Sequence, residues 1–184
     1  MFVQTTLPGV LEIQPPRFSD DRGFLVETWS QRRYREGGVE VDFMQDNMSF
    51  SRHRGTVRGL HFQTPPHAQA KLVSCLAGKI LDVAVDLRPD SPHFGQHFAL
   101  ELSAEKGNQI FVPAGFAHGF CTLTDDCLVA YRLSSTYNPQ AERSLAFDDP
   151  ELAIDWPVSR QDAHLSARDS EAMGWVDIRT SLVS

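Results

Sequence analysis

A cadence of short apolar runs cut by turn residues, from about residue 56 to residue 133, most constrains how this chain can fold. Lys71 to Leu76, Ile80 to Leu87, His97 to Leu102, Gln109 to Val112 and Leu128 to Leu133 have the length of strands and are too short for core helices. Ala77-Gly78, Pro89-Asp90-Ser91-Pro92, Lys106-Gly107 and Thr124-Asp125-Asp126 punctuate them. Within Ile80–Leu87, Leu81, Val83, Val85 and Leu87 share one face while Asp82 and Asp86 share the other, the period of a strand. The two aspartates read either as a carboxylate pair or as structural groups at a barrel mouth. Strands at roughly ten-residue spacing with turn signals predict an antiparallel sandwich or barrel. Ser30 to Glu36 is predicted as a short helix, capped by Ser30 and stopped by Gly37-Gly38. Beyond about residue 150 the pattern weakens into a tail expected to pack across the barrel, with Leu165–Met173 as a short helix. No repeat or linker divides the 184 residues, so one domain over residues 1–184 is expected.

The formal net charge of −7 argues against a broad nucleic-acid or membrane surface, while leaving room for a small basic pocket around an anionic ligand. Cys75, Cys121 and Cys127 are odd in number and form no CxxC pair, which points to reduced thiols in a cytoplasmic protein. Met1 to Thr6 shows no basic segment followed by an apolar core, and no apolar run approaches the roughly 20 residues that span a bilayer.

The most specific chemistry-bearing segment is Gly107-Asn-Gln-Ile-Phe-Val-Pro113-Ala-Gly115-Phe-Ala-His118-Gly-Phe-Cys-Thr122. It resembles the second cupin motif, G-x5-P-x-G-x2-H-x3-N, with Thr122 replacing the final Asn. Gly55-Thr-Val-Arg58-Gly-Leu-His61-Phe-Gln63 resembles the opening of the first motif, with Gln63 in place of the second His and no Glu at the expected spacing. A cupin metal needs about three or four converging N/O ligands, and His61 and His118 supply two. The resemblance therefore implies an all-β cupin-type jelly-roll barrel with short peripheral helices and neither metal nor cofactor.

Further blocks stand in order: Phe18 to Glu27, Gln45-Asp46-Asn47, Arg58 to Gln63, Lys71-Leu72-Val73, Asp82 to Arg88, Ser91 to Gly95, Pro113 to Phe120, Tyr131, and Leu165 to Asp169. With them the chain resembles the dTDP-4-dehydrorhamnose 3,5-epimerase family, deoxysugar isomerases of bacterial polysaccharide and natural-product pathways. The resemblance runs from about residue 5 to about residue 170 and leaves the C-terminal stretch without support. It implies epimerisation at C3 and C5 of dTDP-4-dehydro-6-deoxy-D-glucose, giving dTDP-4-dehydro-L-rhamnose. Hydrogens on those carbons flank the C4 ketone and leave as an enolate forms, so the chemistry needs a base on one face, an acid on the other and a positive group for the oxygen.

By the resemblance, His61 is the base, Asp169 the carboxylate that orients it, Lys71 the cation near the enolate oxygen and Tyr131 the acid. A lone strand His or Tyr is commonly structural, and Ser166-x-x-Asp169 alone is a helix cap; the surrounding blocks raise these residues above that reading. Arg22, Arg58 and Arg168 match basic positions around the diphosphate. Phe24 falls in the Arg22–Glu27 block, and Glu27, Gln45, Asn47, His118 and Glu142 match polar contacts, with Tyr137 matching an aromatic that stacks on thymine. The Arg22–Glu27 block is implied to reach a neighbouring subunit's pocket through strand exchange, giving a homodimer with a nucleotide-sugar substrate. The rivals are a 3-only or 5-only epimerase of a related nucleotide sugar, a metal-dependent cupin oxygenase or isomerase, and a non-catalytic sugar-nucleotide binding module. His53, His67, His93, His97 and His164 show no ligand-like partners and are expected on the surface or in loops.

Overall fold

The computed structural model describes residues 1–183. The chain opens with strands β1 (Phe2–Gln4) and β2 (Leu11–Ile13), a hairpin of β3 (Arg17–Asp20) and β4 (Gly23–Val26), and helix α1 (Gln31–Glu36). Then come β5 (Gln45–Ser51), β6 (Val57–Gln63), β7 (Lys71–Ala77), β8 (Lys79–Asp86), β9 (His97–Ser103), β10 (Gln109–Val112), β11 (Phe116–Thr122) and β12 (Cys127–Leu133). Strand β13 (Glu142–Ser144) and helices α2 (Ala167–Ser170) and α3 (Trp175–Val183) follow.

Two antiparallel sheets carry the fold, in the orders β1-β2-β10-β7-β12-β5 and β13-β6-β11-β8-β9. Apart from β1–β2 and β8–β9, neighbours within each sheet are not consecutive in sequence, as a jelly roll of two Greek keys requires. Between the sheets lie Val73, Cys75, Ile80, Ala84, Ile110, Phe116, Phe120 and Val129 in one apolar cluster. The five predicted strands all form, each within a residue or two of its expected ends.

On β8 both faces are buried, which the alternation alone did not reveal. Ile80 and Ala84 point into the barrel, and Asp82 and Asp86 share that face, each fully buried. Val83 and Val85 point outward, where Trp175 and Ile178 of the C-terminal segment cover them. The aspartates are not a pair. Asp82 bonds His118, while Asp86 accepts from Arg88 Nε at 2.8 Å and Ser91 Oγ at 2.6 Å. Burial alone would push the Asp86 carboxyl up, but those bonds hold it below the usual carboxylate range.

Helix α1 begins where expected, yet the Ser30 side chain makes no cap bond; the backbone carbonyl of Ser30 accepts from Tyr34 N at 2.9 Å instead. The tail holds two helices rather than one over Leu165–Met173. Ser166 Oγ accepts from Asp169 N at 3.1 Å and starts the four-residue α2. The nine-residue α3 starts where Trp175 N donates to Asp149 Oδ2 at 2.7 Å. The cysteines are free and buried. No helix among the described residues is long and apolar enough to cross a membrane.

The β3–β4 hairpin belongs to neither large sheet and pairs only with itself. Phe18, Phe24 and Leu25 on it are exposed, as are Met48 and Phe50 on β5, the edge strand of the six-stranded sheet. Apolar side chains left open on a free hairpin and a sheet edge are a surface suited to association.

Candidate active site

The site begins with a close approach of β6 and β11, on which His61 and His118 are register partners. A β-carbon on Gly59 would sit 2.7 Å from Gly119 Cα, and one on Gly119 would sit 2.6 Å from the Arg58 carbonyl oxygen. Gly59 also has a φ of +120°, so glycine is required there on both counts. The register shifts between His118 and Phe120, and such a bulge re-aims the side chains around it.

A cavity of about 520 Å³ opens here between the sheets, and it is lined by His61, Lys71, Tyr131, Asp169, Asn47, Arg58, His118, Tyr137, Glu142 and Arg168. These ten of the fourteen predicted site residues are thus gathered from β5, β6, β7, β11, β12, β13, α2 and one loop. Gln69, Phe120, Leu133 and Ser166 also line it. Phe120 and Leu133 stand among strand residues that sequence reads as core, and nothing in the sequence marks Gln69.

His61 Nε2 lies 2.5 Å from Asp169 Oδ1. Asp169 also accepts from Ser166 Oγ at 2.8 Å. Burial would raise the Asp169 carboxyl, yet the bonds from His61 and Ser166 and the charge of Arg168 hold it below its usual range, so it is a carboxylate at neutral pH. A carboxylate accepts only, so Nε2 carries the proton toward it and the lone pair of neutral His61 sits on Nδ1. Arg168 Nη2 is 3.0 Å from the same Nε2 and cannot donate to a nitrogen that already bears hydrogen; its firm partner is Glu142. The imidazole is about a fifth exposed while Asp169 is almost wholly buried, so the pair has one open edge, toward the cavity.

Lys71 Nζ donates to the His61 carbonyl oxygen at 3.2 Å. Burial pulls its pKa down from 10.5 to about 8, against the raising influence of Asp82 and Glu142. His118 is buried with Nε2 2.9 Å from both Asp82 oxygens; burial lowers its pKa despite that carboxylate, which leaves a neutral imidazole at neutral pH. Tyr131 sits between Asn47 of β5 and Val73 of β7, half-buried, with its hydroxyl bonded to no described residue. Tyr137 Oη donates to Glu142 Oε2 at 2.6 Å, a bond that raises its phenol pKa. Arg58 is tied by Nε to Ser51 Oγ at 3.0 Å.

Four predicted residues do not line the cavity. Gln45 stands behind it, accepting from Tyr137 N at 3.0 Å and donating to Asn47 Oδ1 at 2.9 Å. Arg22 pairs with Asp20 at 2.5 Å and is nearly fully exposed. Phe24 lies under the Arg17 guanidinium at 3.6 Å, and Glu27 is 3.3 Å from Arg33 Nε. Within one chain, the hairpin and its following residue stand apart from the cavity.

At the cupin metal positions stand only two imidazoles, His61 and His118, and a Gln63 amide already engaged by backbone, fewer than the three or four ligands a metal needs. Among the described residues, no three His, Cys, Asp or Glu side chains converge as ligands.

A family model described as dTDP-4-dehydrorhamnose 3,5-epimerase matches residues 4–177. A protein of that name from Shigella flexneri is 43% identical over 176 residues, covering 95% of this chain and 96% of its own length. The crystal structure of a dTDP-6-deoxy-D-glucose-3,5-epimerase from Legionella pneumophila, in complex with dTDP-4-keto-L-rhamnose, is similar with a TM-score of 0.92 at 41% identity, covering 99% of this chain and 96% of that one. A 3′-monoepimerase from Streptomyces bikiniensis in complex with dTDP-quinovose has a TM-score of 0.88 at 35% identity, covering 97% and 90%.

Proposed function

Because this chain belongs to the dTDP-4-dehydrorhamnose 3,5-epimerase family, an isomerase family, we propose that it inverts C3 and C5 of dTDP-4-dehydro-6-deoxy-D-glucose by proton transfer through an enolate. The observation that carries the mechanism is the His61–Asp169 pair, open on one edge to a cavity that Lys71 and Tyr131 also line. His61 Nδ1 takes the proton from the carbon beside the ketone. Asp169 holds the ring by its other nitrogen and stabilises the imidazolium that forms. The electron pair moves onto the C4 oxygen, where the Lys71 ammonium meets the developing charge. Tyr131, with a hydroxyl that no described residue engages, gives a proton to the opposite face.

Arg58, Arg168, Asn47 and Glu142 line the cavity and are assigned to the nucleotide diphosphate and sugar, with Tyr137 against the base. A second copy supplies Arg22, Phe24 and Glu27. The self-paired hairpin and its exposed Phe18, Phe24 and Leu25 support that exchange, and with it a homodimer of single-domain chains; the three free cysteines support a cytoplasmic place for it.

The runner-up is inversion at C3 alone, favoured by the likeness to the Streptomyces bikiniensis monoepimerase. Incubation with the dTDP-4-keto sugar in deuterated water, followed by NMR, decides between them. Deuterium at both C3 and C5 of the epimerised product is expected, and label confined to one carbon overturns the double inversion. His61→Asn is expected to show neither wash-in nor product; near wild-type wash-in in that variant removes His61 as the base.

A further inference from the structure

Gln63 occupies the strand position at which the first cupin motif has its second histidine, and it is almost wholly buried. It closes β6 two residues after His61, so both side chains project from the same face of the strand. Its amide bonds two separate loops. Nε2 donates to the carbonyl oxygens of His67, at 2.6 Å, and Thr136, at 3.3 Å. Oε1 accepts from Asn138 N at 2.7 Å. Two carbonyls and one N–H fix which end of the amide is which, and only a side chain with both a donor and an acceptor satisfies all three.

The two loops are residues 64–70 and 134–141. They are joined further by Ala70 N to Ser134 Oγ at 2.8 Å, by Gln69 Nε2 to Ser135 O at 2.6 Å, and by Asn138 Nδ2 to His67 Nε2 at 3.0 Å. The Asn138 Oδ1 atom is held by Gln140 N at 3.0 Å and Ala141 N, so Nδ2 is the end that faces His67 and the histidine accepts. Each loop carries one wall of the cavity: Gln69 on the first, Tyr137 on the second. Tyr137 follows Thr136 and precedes Asn138, the two residues whose backbone Gln63 grips.

We propose that Gln63 is a positioning residue for the nucleotide end of the cavity, a buried amide on the strand of the base that fixes both loops and thereby sets Tyr137 and Gln69 for the ligand. This rests on the reading of Tyr137 as a nucleotide contact. In place of ligating an ion, this position clasps the two loops that wall the nucleotide end. The clasp bears on binding, because it touches neither the His61–Asp169 pair nor Lys71.

The test uses Gln63→Met, which keeps length and bulk without hydrogen bonds, and Gln63→Glu, which keeps the acceptor but faces two carbonyls with a carboxylate. Calorimetry gives the Kd for dTDP, and NMR progress curves give KM and kcat. Losing buried hydrogen bonds worth about 1–1.5 kcal/mol predicts a rise of about tenfold in Kd and KM. The kcat at saturation should fall by no more than about threefold. Unchanged Kd and KM in folded variants overturn the proposal, as does a lowered Tm with ligand affinity intact, the signature of a merely structural residue. A fall in kcat as large as the rise in KM also overturns it, since Gln63 would then act on the chemistry. If both variants fail to fold, Asn138→Ala leaves the buried amide in place and removes the side-chain ties of the second loop. It should raise Kd about threefold, by the lower end of a hydrogen bond's worth, and an unchanged Kd counts against the clasp. Wild-type protein and Tyr137→Ala separate the two levels. A wild type that does not bind dTDP brings down the nucleotide reading and this inference together. A Tyr137→Ala that weakens dTDP binding beside a Gln63→Met that does not overturns the inference alone.

Discussion

Replacing Asp169 by asparagine isolates the part of the chemistry that belongs to charge. The carboxylate is almost wholly buried, accepts from His61 Nε2 at 2.5 Å and from Ser166 Oγ at 2.8 Å, and is held ionised by those partners. Asparagine fits the same space. Its amide oxygen can face His61 while its nitrogen faces Ser166 Oγ, so ring orientation survives and one negative charge is lost. That charge matters most when His61 has taken the proton, because only the imidazolium needs it. A charge-assisted hydrogen bond is worth about 1.5–3 kcal/mol. At 1.36 kcal/mol per factor of ten, kcat should fall roughly 10- to 200-fold. The KM should move little, since Asp169 acts through His61. The assay is deuterium wash-in at C3 and C5 with epimer formation followed by NMR, at saturating substrate, on protein shown folded by its Tm. Wash-in and product should fall together, because both pass through the same first abstraction. A kcat within threefold of wild type, or a loss confined to KM, would refute the reasoning that Asp169 serves the imidazolium.

Lys71 sets a pH dependence with opposite signs for activity and stability. In the proposed mechanism its ammonium meets the enolate, and burial puts its pKa at about 8, so kcat/KM should hold below that pH and fall about tenfold per unit above it; the limb should disappear in Lys71→Met, and a profile flat to pH 10 excludes this role. Because the charged form is the one penalised by folding, stability should rise between about pH 8 and 10.5 as the penalty is relieved, which urea melts across that window will test. Tyr131→Phe keeps the ring and removes the proton, so recovered substrate should still take up deuterium while epimer formation drops on the order of 10²–10⁴; abolition of wash-in as complete as in His61→Asn would reverse the assigned faces. Mixing Arg22→Ala with His61→Asn chains should restore activity through hybrid dimers, and no rescue under demonstrated subunit exchange would put the hairpin outside its neighbour's site.

The strands were legible because their signal is local: alternation and turn residues fix Ile80 to Leu87 as a strand without any knowledge of its neighbours. Which face of that strand looks into the barrel was not, since the burial of Asp82 depends on His118, 36 residues further along the chain. The same limit explains α3. Trp175, Ile178 and Leu182 have helical spacing, but the start of the helix rests on Asp149, 26 residues away, and no local cap announces it. Eight of the ten lining residues were legible through their motif blocks, and Tyr137 and Glu142 only through the wider family resemblance. Gln63 was legible as a departure from a metal motif, but its new partners, the backbone of His67, Thr136 and Asn138, carry no side-chain signature. His67, set aside as a loop histidine, proves to accept from Asn138 for the same reason.

The two-sheet architecture matches the demands of the proposed reaction in a way that a single converging site would not. A metal centre draws its ligands to one point, whereas inversion at carbon needs a base and an acid on opposite sides of a flat enolate. His61 and His118 come from β6 and β11 of the five-stranded sheet, while Lys71 and Tyr131 come from β7 and β12 of the six-stranded sheet. Sheets packed face to face stand about 10 Å apart, room for one sugar ring between their side chains. A ring entering that gap presents one face to each sheet, so the fold itself divides the base from the acid. The proposed site is held by buried pairings on the five-stranded sheet, His61 with Asp169 and His118 with Asp82, and by the loop clasp of Gln63. The two pairings each hold an imidazole by one nitrogen and leave the rest of the ring to the cavity, as directed proton transfer requires, while the clasp fixes the loops around it.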